Sequence, residues 1–89
     1  MYQVKVTSPF EKDFKKLDHS IQKRILNKLQ ELAENPESAK PVLYLPKDLE
    51  GLQKCRVGDW RVLFWPDHQK EEIVLYGVEH RKSVYKRFR

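Results

Sequence analysis

The chain has a single cysteine, only three glycines, and no apolar run approaching the roughly 20 residues of a membrane-spanning helix. Cys55 alone excludes an intrachain disulfide and suits a reducing compartment. Gly51, Gly58 and Gly77 are isolated, so there is no glycine-rich phosphate loop. Cys55, His19, His68 and His80 stand at no zinc-ligand spacing. Asp59, Asp67, Glu71, Glu72 and Glu79 fall mostly where turns are expected and show no pattern for holding a divalent ion. Neither a metal nor another cofactor is therefore expected. The opening residues 1–6 lack a signal-peptide pattern, which makes the cytoplasm the expected location and a membrane partner unexpected.

Positive charge is what the chain has in excess. Eighteen Lys and Arg against thirteen Asp and Glu give a formal charge of +5, pointing to nucleic acid, an acidic protein partner, or both. Five of these cations lie in residues 80–89, beside His80 and without any acid. A hydrophobic fraction of 39% and a charged fraction of 35% in mixed signs suit one small globular domain over residues 1–89.

Periodicity orders the chain as strand, two helices, then strands. Tyr2, Val4 and Val6 alternate with polar residues, predicting a half-buried strand. Ser8-Pro9-Phe10-Glu11 reads as a capping box with proline at the first helical position, opening a short helix with Phe10, Phe14 and Leu17 on one face. Asp18 or Ser20 caps a longer helix, whose stripe of Ile21, Ile25, Leu29, Leu32 and Ala33 opposes Lys23, Arg24, Lys28, Gln30 and Glu31. Asn35-Pro36 ends it, and the proline-rich stretch to Pro46 reads as a surface connection. Residues 66–72 form a polar turn before residues 73–78, which are apolar on both faces like a central strand. The fold class is α+β: an N-terminal strand, a two-helix hairpin, then an antiparallel meander with the helices packed on one face.

Gly58-Asp59 separates the strand-like runs 53–57 and 60–65 as a two-residue hairpin turn. Pairing Val57 with Trp60 sets Arg56 opposite Arg61, Cys55 opposite Val62, Lys54 opposite Leu63 and Gln53 opposite Phe64. Lys54, Arg56 and Arg61 then share one face, although like charges directly opposite each other destabilise a strand pair. A rigid basic site of this kind asks for a phosphate. Cys55 falls on the apolar face, as a buried structural thiol would. Arg81 and Tyr85, four residues apart, lie on one side of the C-terminal segment whether it is helical or extended. In the helical reading, Val84 and Phe88 anchor the segment and leave Tyr85 presented.

A set of Lys, Arg and Tyr without convergent carboxylates limits the chemistry to phosphate binding or metal-free phosphoryl transfer. RNA carries its own nucleophile, the 2′-OH, so a protein need only remove that proton, stabilise the pentacoordinate phosphorane and assist the leaving 5′ oxygen. Arginine forks onto two phosphate oxygens and stays charged. A tyrosine stacks on a base, and neighbouring cations favour an anion over another positive charge.

The order strand, two helices, sheet, together with Leu49-Glu50-Gly51, Arg56-Val57-Gly58-Asp59-Trp60-Arg61-Val62-Leu63-Phe64 and His80-Arg81-Lys82-Ser83-Val84-Tyr85, resembles the RelE toxins of the RelE/ParE superfamily. The resemblance covers nearly the whole chain and implies a RelE-like fold and a ribosome-dependent mRNA endonuclease that cuts the codon in the A site. It implies that Lys54 assists proton removal and phosphate binding, that Arg61 holds the scissile phosphate, that Arg81 stabilises or protonates the leaving oxygen, and that Tyr85 stacks on the substrate or serves as base. Arg56, from the hairpin parity, joins Lys82, Lys86 and His80 as expected RNA-binding residues; His80 is a second candidate base or acid, or an orienting group. Leu52 stands where some members carry a further lysine, and Glu79 near where some carry an arginine. The implied partners are the ribosome, mRNA and a RelB-like antitoxin with an acidic or amphipathic segment. ParE-like inhibition of DNA gyrase, or antitoxin binding alone, are the alternatives.

Overall fold

A computed structural model describes residues 1–43 and 45–88, with the backbone alone at Ser38. The chain runs β1 (Gln3–Val6), α1 (Ser8–Lys15), α2 (His19–Glu34), β2 (Lys40–Pro41), β3 (Gln53–Val57), β4 (Trp60–Asp67) and β5 (Glu72–His80), with short 3-10 turns at Pro36–Ser38, Lys47–Leu49 and Lys86–Phe88. The strands form one sheet in the order β1-β5-β4-β3-β2.

α1 starts one residue earlier than the capping-box reading. Thr7 is its N-cap, accepting from the Phe10 amide at 3.5 Å, while its hydroxyl donates to the Leu75 carbonyl at 2.7 Å. That second bond anchors the helix start on β5, which a local motif cannot reveal. Of the two candidate caps for α2, Asp18 is used: its carboxylate accepts from the Ile21 amide at 3.1 Å and the Ser20 hydroxyl at 2.8 Å. These bonds hold the Asp18 carboxyl below its ordinary pKa. Ile25, Leu29, Leu32 and Ala33 of α2 are buried, as their spacing predicts.

The hairpin has the predicted register, from Val57 opposite Trp60 to Gln53 opposite Phe64. Gly58 supplies its positive φ of +60°. β3, β4 and β5 form an antiparallel meander, but β1 lies parallel to β5, so the sheet is mixed. The long connection that a parallel pair requires is the rest of the chain: the two helices carry it from β1 to β2 at the far edge, and the meander brings it back to β5. β2 was not expected, because Pro41 reads as a strand breaker; at the sheet edge its missing N–H costs no ladder bond. Between β4 and β5 the register shifts at Leu63 and Phe64, which face Gly77 and Leu75 and leave Tyr76 unmatched.

Two cores result. On the helix side, Phe10, Ile25, Leu29 and Leu32 pack against Cys55, Val57, Val62, Phe64, Ile73, Leu75 and Val78. On the other side, Leu63, Leu52, Val42 and Val84 gather with Leu45, Trp65, Tyr76 and Phe88. Leu52 is thus a core residue, 1% exposed. Burial pushes the Cys55 thiol up to about 11, as befits a structural cysteine. The half-buried β1 of the sequence reading is instead exposed throughout, since it is an edge strand that the helices do not fully cover. Val4 and Val6 line an apolar groove with Phe10, Phe14, Leu26 and Leu75.

Leu63 joins the sheet to the C-terminal segment, and it is fully buried. Leu63→Ala should therefore lower stability by about 2–5 kcal/mol in urea denaturation. A loss well under that range would mean that Leu63 and Val84 do not share a close-packed core.

Candidate functional site

Sheet register sorts the cations. On the face opposite the helices, one row across the strands reads Arg56, Arg61, Glu79, and the next reads Lys40, Lys54, Leu63, Gly77. Residues 81–88 cross this face, with Val84 sunk in the second core at 3% exposure and Tyr85 beside it 47% exposed. An anchored residue followed by a presented one is what the spacing of the segment predicts.

Tyr85 meets Lys54. The Lys54 Nζ donates to the Tyr85 hydroxyl at 3.3 Å and lies 5.4 Å from the ring centroid. Two groups from distant parts of the chain thus converge, an arrangement that charge repulsion between tail and strands would oppose. Lys54, Arg56 and Arg61 also line one cleft of about 310 Å³, joined there by Lys40. Lys40 was missed with β2; its signal was an edge-strand proline, Pro41, followed by an apolar Val42.

Arg61 is half-buried and folds back on the hairpin, its Nη1 donating to the carbonyls of Gly58 at 3.0 Å and Trp60 at 2.9 Å. Carbonyl dipoles hold the guanidinium there without neutralising it. Its cross-strand neighbour Glu79 is drawn away to Arg87, at 3.1 Å. Arg56 is exposed, and among the described residues it forms no ion pair. Arg81 is tied to the hairpin turn: its amide donates to the Asp59 carbonyl at 2.8 Å and its Nε lies 3.6 Å from the Asp59 carboxylate. With Arg81 56% and Asp59 68% exposed, this pair is weak and leaves Arg81 available to a ligand. Lys82 and Lys86 are exposed on the same segment.

His80 is not brought to this cleft. It stands opposite Trp60 on the helix side of the sheet, edge-on to that indole at 5.3 Å, and its Nδ1 accepts from the Lys82 amide at 3.3 Å. The bulge at Tyr76 made its face unreadable from the β5 sequence alone.

Arg87 is the residue that sequence reasoning passed over. Only 17% exposed, its Nη1 donates to Asp13 at 2.8 Å and Glu79 at 3.1 Å, and the guanidinium lies 5.0 Å from the Tyr76 ring centroid. Burial works against its charge, but the bond and charge of Asp13, with the bonds to Tyr76 and Glu79, outweigh that and raise its pKa. The same Asp13 oxygen accepts the Val78 amide at 2.9 Å. Gly77 makes room: a Cβ there would sit 2.7 Å from the Asp13 carboxylate and collide with Arg87. A glycine inside an apolar strand was the available signal.

A model of the ParE toxin of type II toxin–antitoxin systems, parDE, matches residues 4–85. Toxin RelG of Mycobacterium tuberculosis is 29% identical over 89 residues, 97% of this chain and 98% of its own length. Among solved structures, the toxin–antitoxin complex RelBE2 from M. tuberculosis aligns with a TM-score of 0.77 at 27% identity, covering 90% of this chain and 98% of the other. The isolated E. coli RelE toxin aligns with a TM-score of 0.72 at 18% identity over 98% of both chains, a likeness of fold.

Removing either side of the Arg87 pair leaves a partly buried charge without its partner. Arg87→Ala or Asp13→Asn should lower the unfolding free energy by about 1–3 kcal/mol and speed amide hydrogen exchange across residues 81–88. Unchanged exchange there would show that the pair does not hold the segment.

Proposed function

Because the chain belongs to the ParE-type toxins of type II toxin–antitoxin systems, within the RelE/ParE superfamily, we propose that it is the RNA-cutting kind: a ribosome-dependent mRNA endonuclease acting in the A site. One observation carries this reading. Lys54 and Tyr85 meet at 3.3 Å beside a cleft of Lys40, Arg56 and Arg61 that, among the described residues, no carboxylate lines.

The 2′-oxygen of the exposed nucleotide attacks the adjacent phosphorus; the 2′-O–P bond forms, the P–O5′ bond breaks, and a cyclic phosphate and a 5′-hydroxyl result. Tyr85, reacting as the phenolate, takes the 2′-OH proton and becomes the phenol; the Lys54 ammonium bonded to its oxygen favours that anion before the transfer. Lys54 itself is the alternative proton carrier. Arg61, preset by the carbonyls of Gly58 and Trp60, faces the non-bridging oxygens of the phosphorane. Arg81, held loosely by Asp59, swings to the leaving 5′ oxygen and delivers the proton of the 5′-hydroxyl, directly or through a water. Arg56, Lys82 and Lys86 bind flanking RNA, and His80, remote from the cleft, orients the start of the segment through the Lys82 amide.

The crystal structure of intact E. coli RelBE is of a toxin–antitoxin complex, and one from the archaeon Pyrococcus horikoshii is of a RelE–RelB complex. We extend that partnership to this chain, with a RelB-like antitoxin whose acidic or amphipathic segment covers the basic face in the cytoplasm. The ParE family match keeps a second reading in view: poisoning of DNA gyrase without RNA cleavage.

Primer extension on mRNA from a translating extract tests the choice. Cuts inside A-site codons are expected, falling roughly 10²–10³-fold with Arg61→Ala or Arg81→Ala, the loss typical of a removed transition-state donor. Tyr85→Phe should lower cleavage while changing ribosome affinity little; equal losses in both would leave Tyr85 as a stacking residue only. Intact mRNA with gyrase-linked DNA breaks would replace this function with the second reading.

A further inference from the structure

We propose that Arg24, Lys28 and Arg56 form a second phosphodiester subsite, one that grips the RNA backbone beside the nucleotide being cut. The proposal rests on the RNA-cutting reading and adds a place for the flanking chain. Its starting point is the short reach of β2, which pairs only with Gln53 and Lys54 and leaves the edge of β3 open from Cys55 to Val57. Arg56 stands on that open edge and lines two clefts. One is the cleft of Lys40, Lys54 and Arg61; the other, of about 480 Å³, lies between β3 and α2 and is lined by Arg24, Asn27, Lys28 and the acid Glu31. A chain passing around the edge would keep Arg56 at its side throughout.

Positive charge is concentrated here and only partly compensated, by Glu31 beside Lys28. The Arg24 guanidinium rests against the hairpin turn, where a Cβ on Gly58 would lie 3.0 Å from both of its terminal nitrogens. On the other side of the same glycine, Arg61 donates to its carbonyl at 3.0 Å. Among the described residues, Arg24, Arg56 and Arg61 take part in no ion pair. Of the nearby acids, Glu31 is 3.8 Å from Lys28 and Asp59 is turned to Arg81. Gathered like charges repel. An anion resolves the repulsion, and guanidinium groups fork onto phosphate oxygens. Continuity through Arg56 with the cleft of Lys54 selects nucleic acid over a separate protein ligand.

Binding of a 2′-O-methyl oligonucleotide, which cannot be cut, is to be titrated against salt by fluorescence anisotropy. The doubly substituted Arg24→Gln, Lys28→Gln protein should show a log K against log salt slope shallower by roughly 0.7–1, the signature of one lost phosphate contact on a single strand. Arg24→Lys with Lys28 intact should keep the slope, and all proteins should share the wild-type urea midpoint. A dinucleotide spanning only the cut should bind both forms alike. An unchanged slope for the longer oligonucleotide would remove the subsite and leave the cleavage reading standing. Salt-independent or absent RNA binding by the wild-type protein would remove the subsite, and the cleavage reading would then stand or fall on the primer-extension result alone. A double variant that binds RNA normally but has lost affinity for poly-glutamate would make this a protein-docking surface and overturn the proposal.

Discussion

The guanidinium of Arg87, shared between Asp13 and Glu79 and laid over Tyr76, joins the last described turn of the chain to its first helix. Asp13 in turn holds the Val78 amide of β5, so one carboxylate ties together the helix, the sheet and the C-terminal segment. Partial burial strengthens such a node, because water screens it less than it screens the exposed Arg81–Asp59 pair. Its geometry also depends on a residue with no side chain, Gly77, at the point of closest approach.

The node acts electrostatically as well as mechanically. Holding the segment across the sheet seats Val84 in the second core and sets Tyr85 against Lys54. Drawing Glu79 to Arg87 removes the acid that stands across the strands from Arg61. The cations of β3 and β4 thus stay unneutralised, and their repulsion lowers the stability of a small domain whose two cores are thin. A protein selected for stability alone would pair Arg56 and Arg61 with acids.

The helix face is organised differently. There the core contacts are apolar, and a groove beside β1 is left uncovered, where Val4 and Val6 remain exposed. The basic cleft and the apolar groove lie on opposite sides of the sheet. A partner that masks both has to wrap around the domain, while a ligand held only by the cleft of Lys54, Arg56 and Arg61 approaches a single face.

Interactions between near neighbours in the chain were legible from the residues themselves. Gly58-Asp59 set the hairpin and with it the shared face of Lys54, Arg56 and Arg61; the stripe of α2 set its buried side; Val84 and Phe88 set the outward position of Tyr85. These rest on turn geometry and on periodicities of two and 3.6, which are local properties of the backbone. Tertiary structure alone decided the parallel placement of β1, the two-residue β2 with Lys40, the Thr7 cap on the Leu75 carbonyl, the bulge that sends His80 to the helix side, and the meeting of Arg87 with Asp13. Each of these is a contact between residues far apart in the chain, whose formation depends on how the whole sheet closes rather than on any motif around either partner.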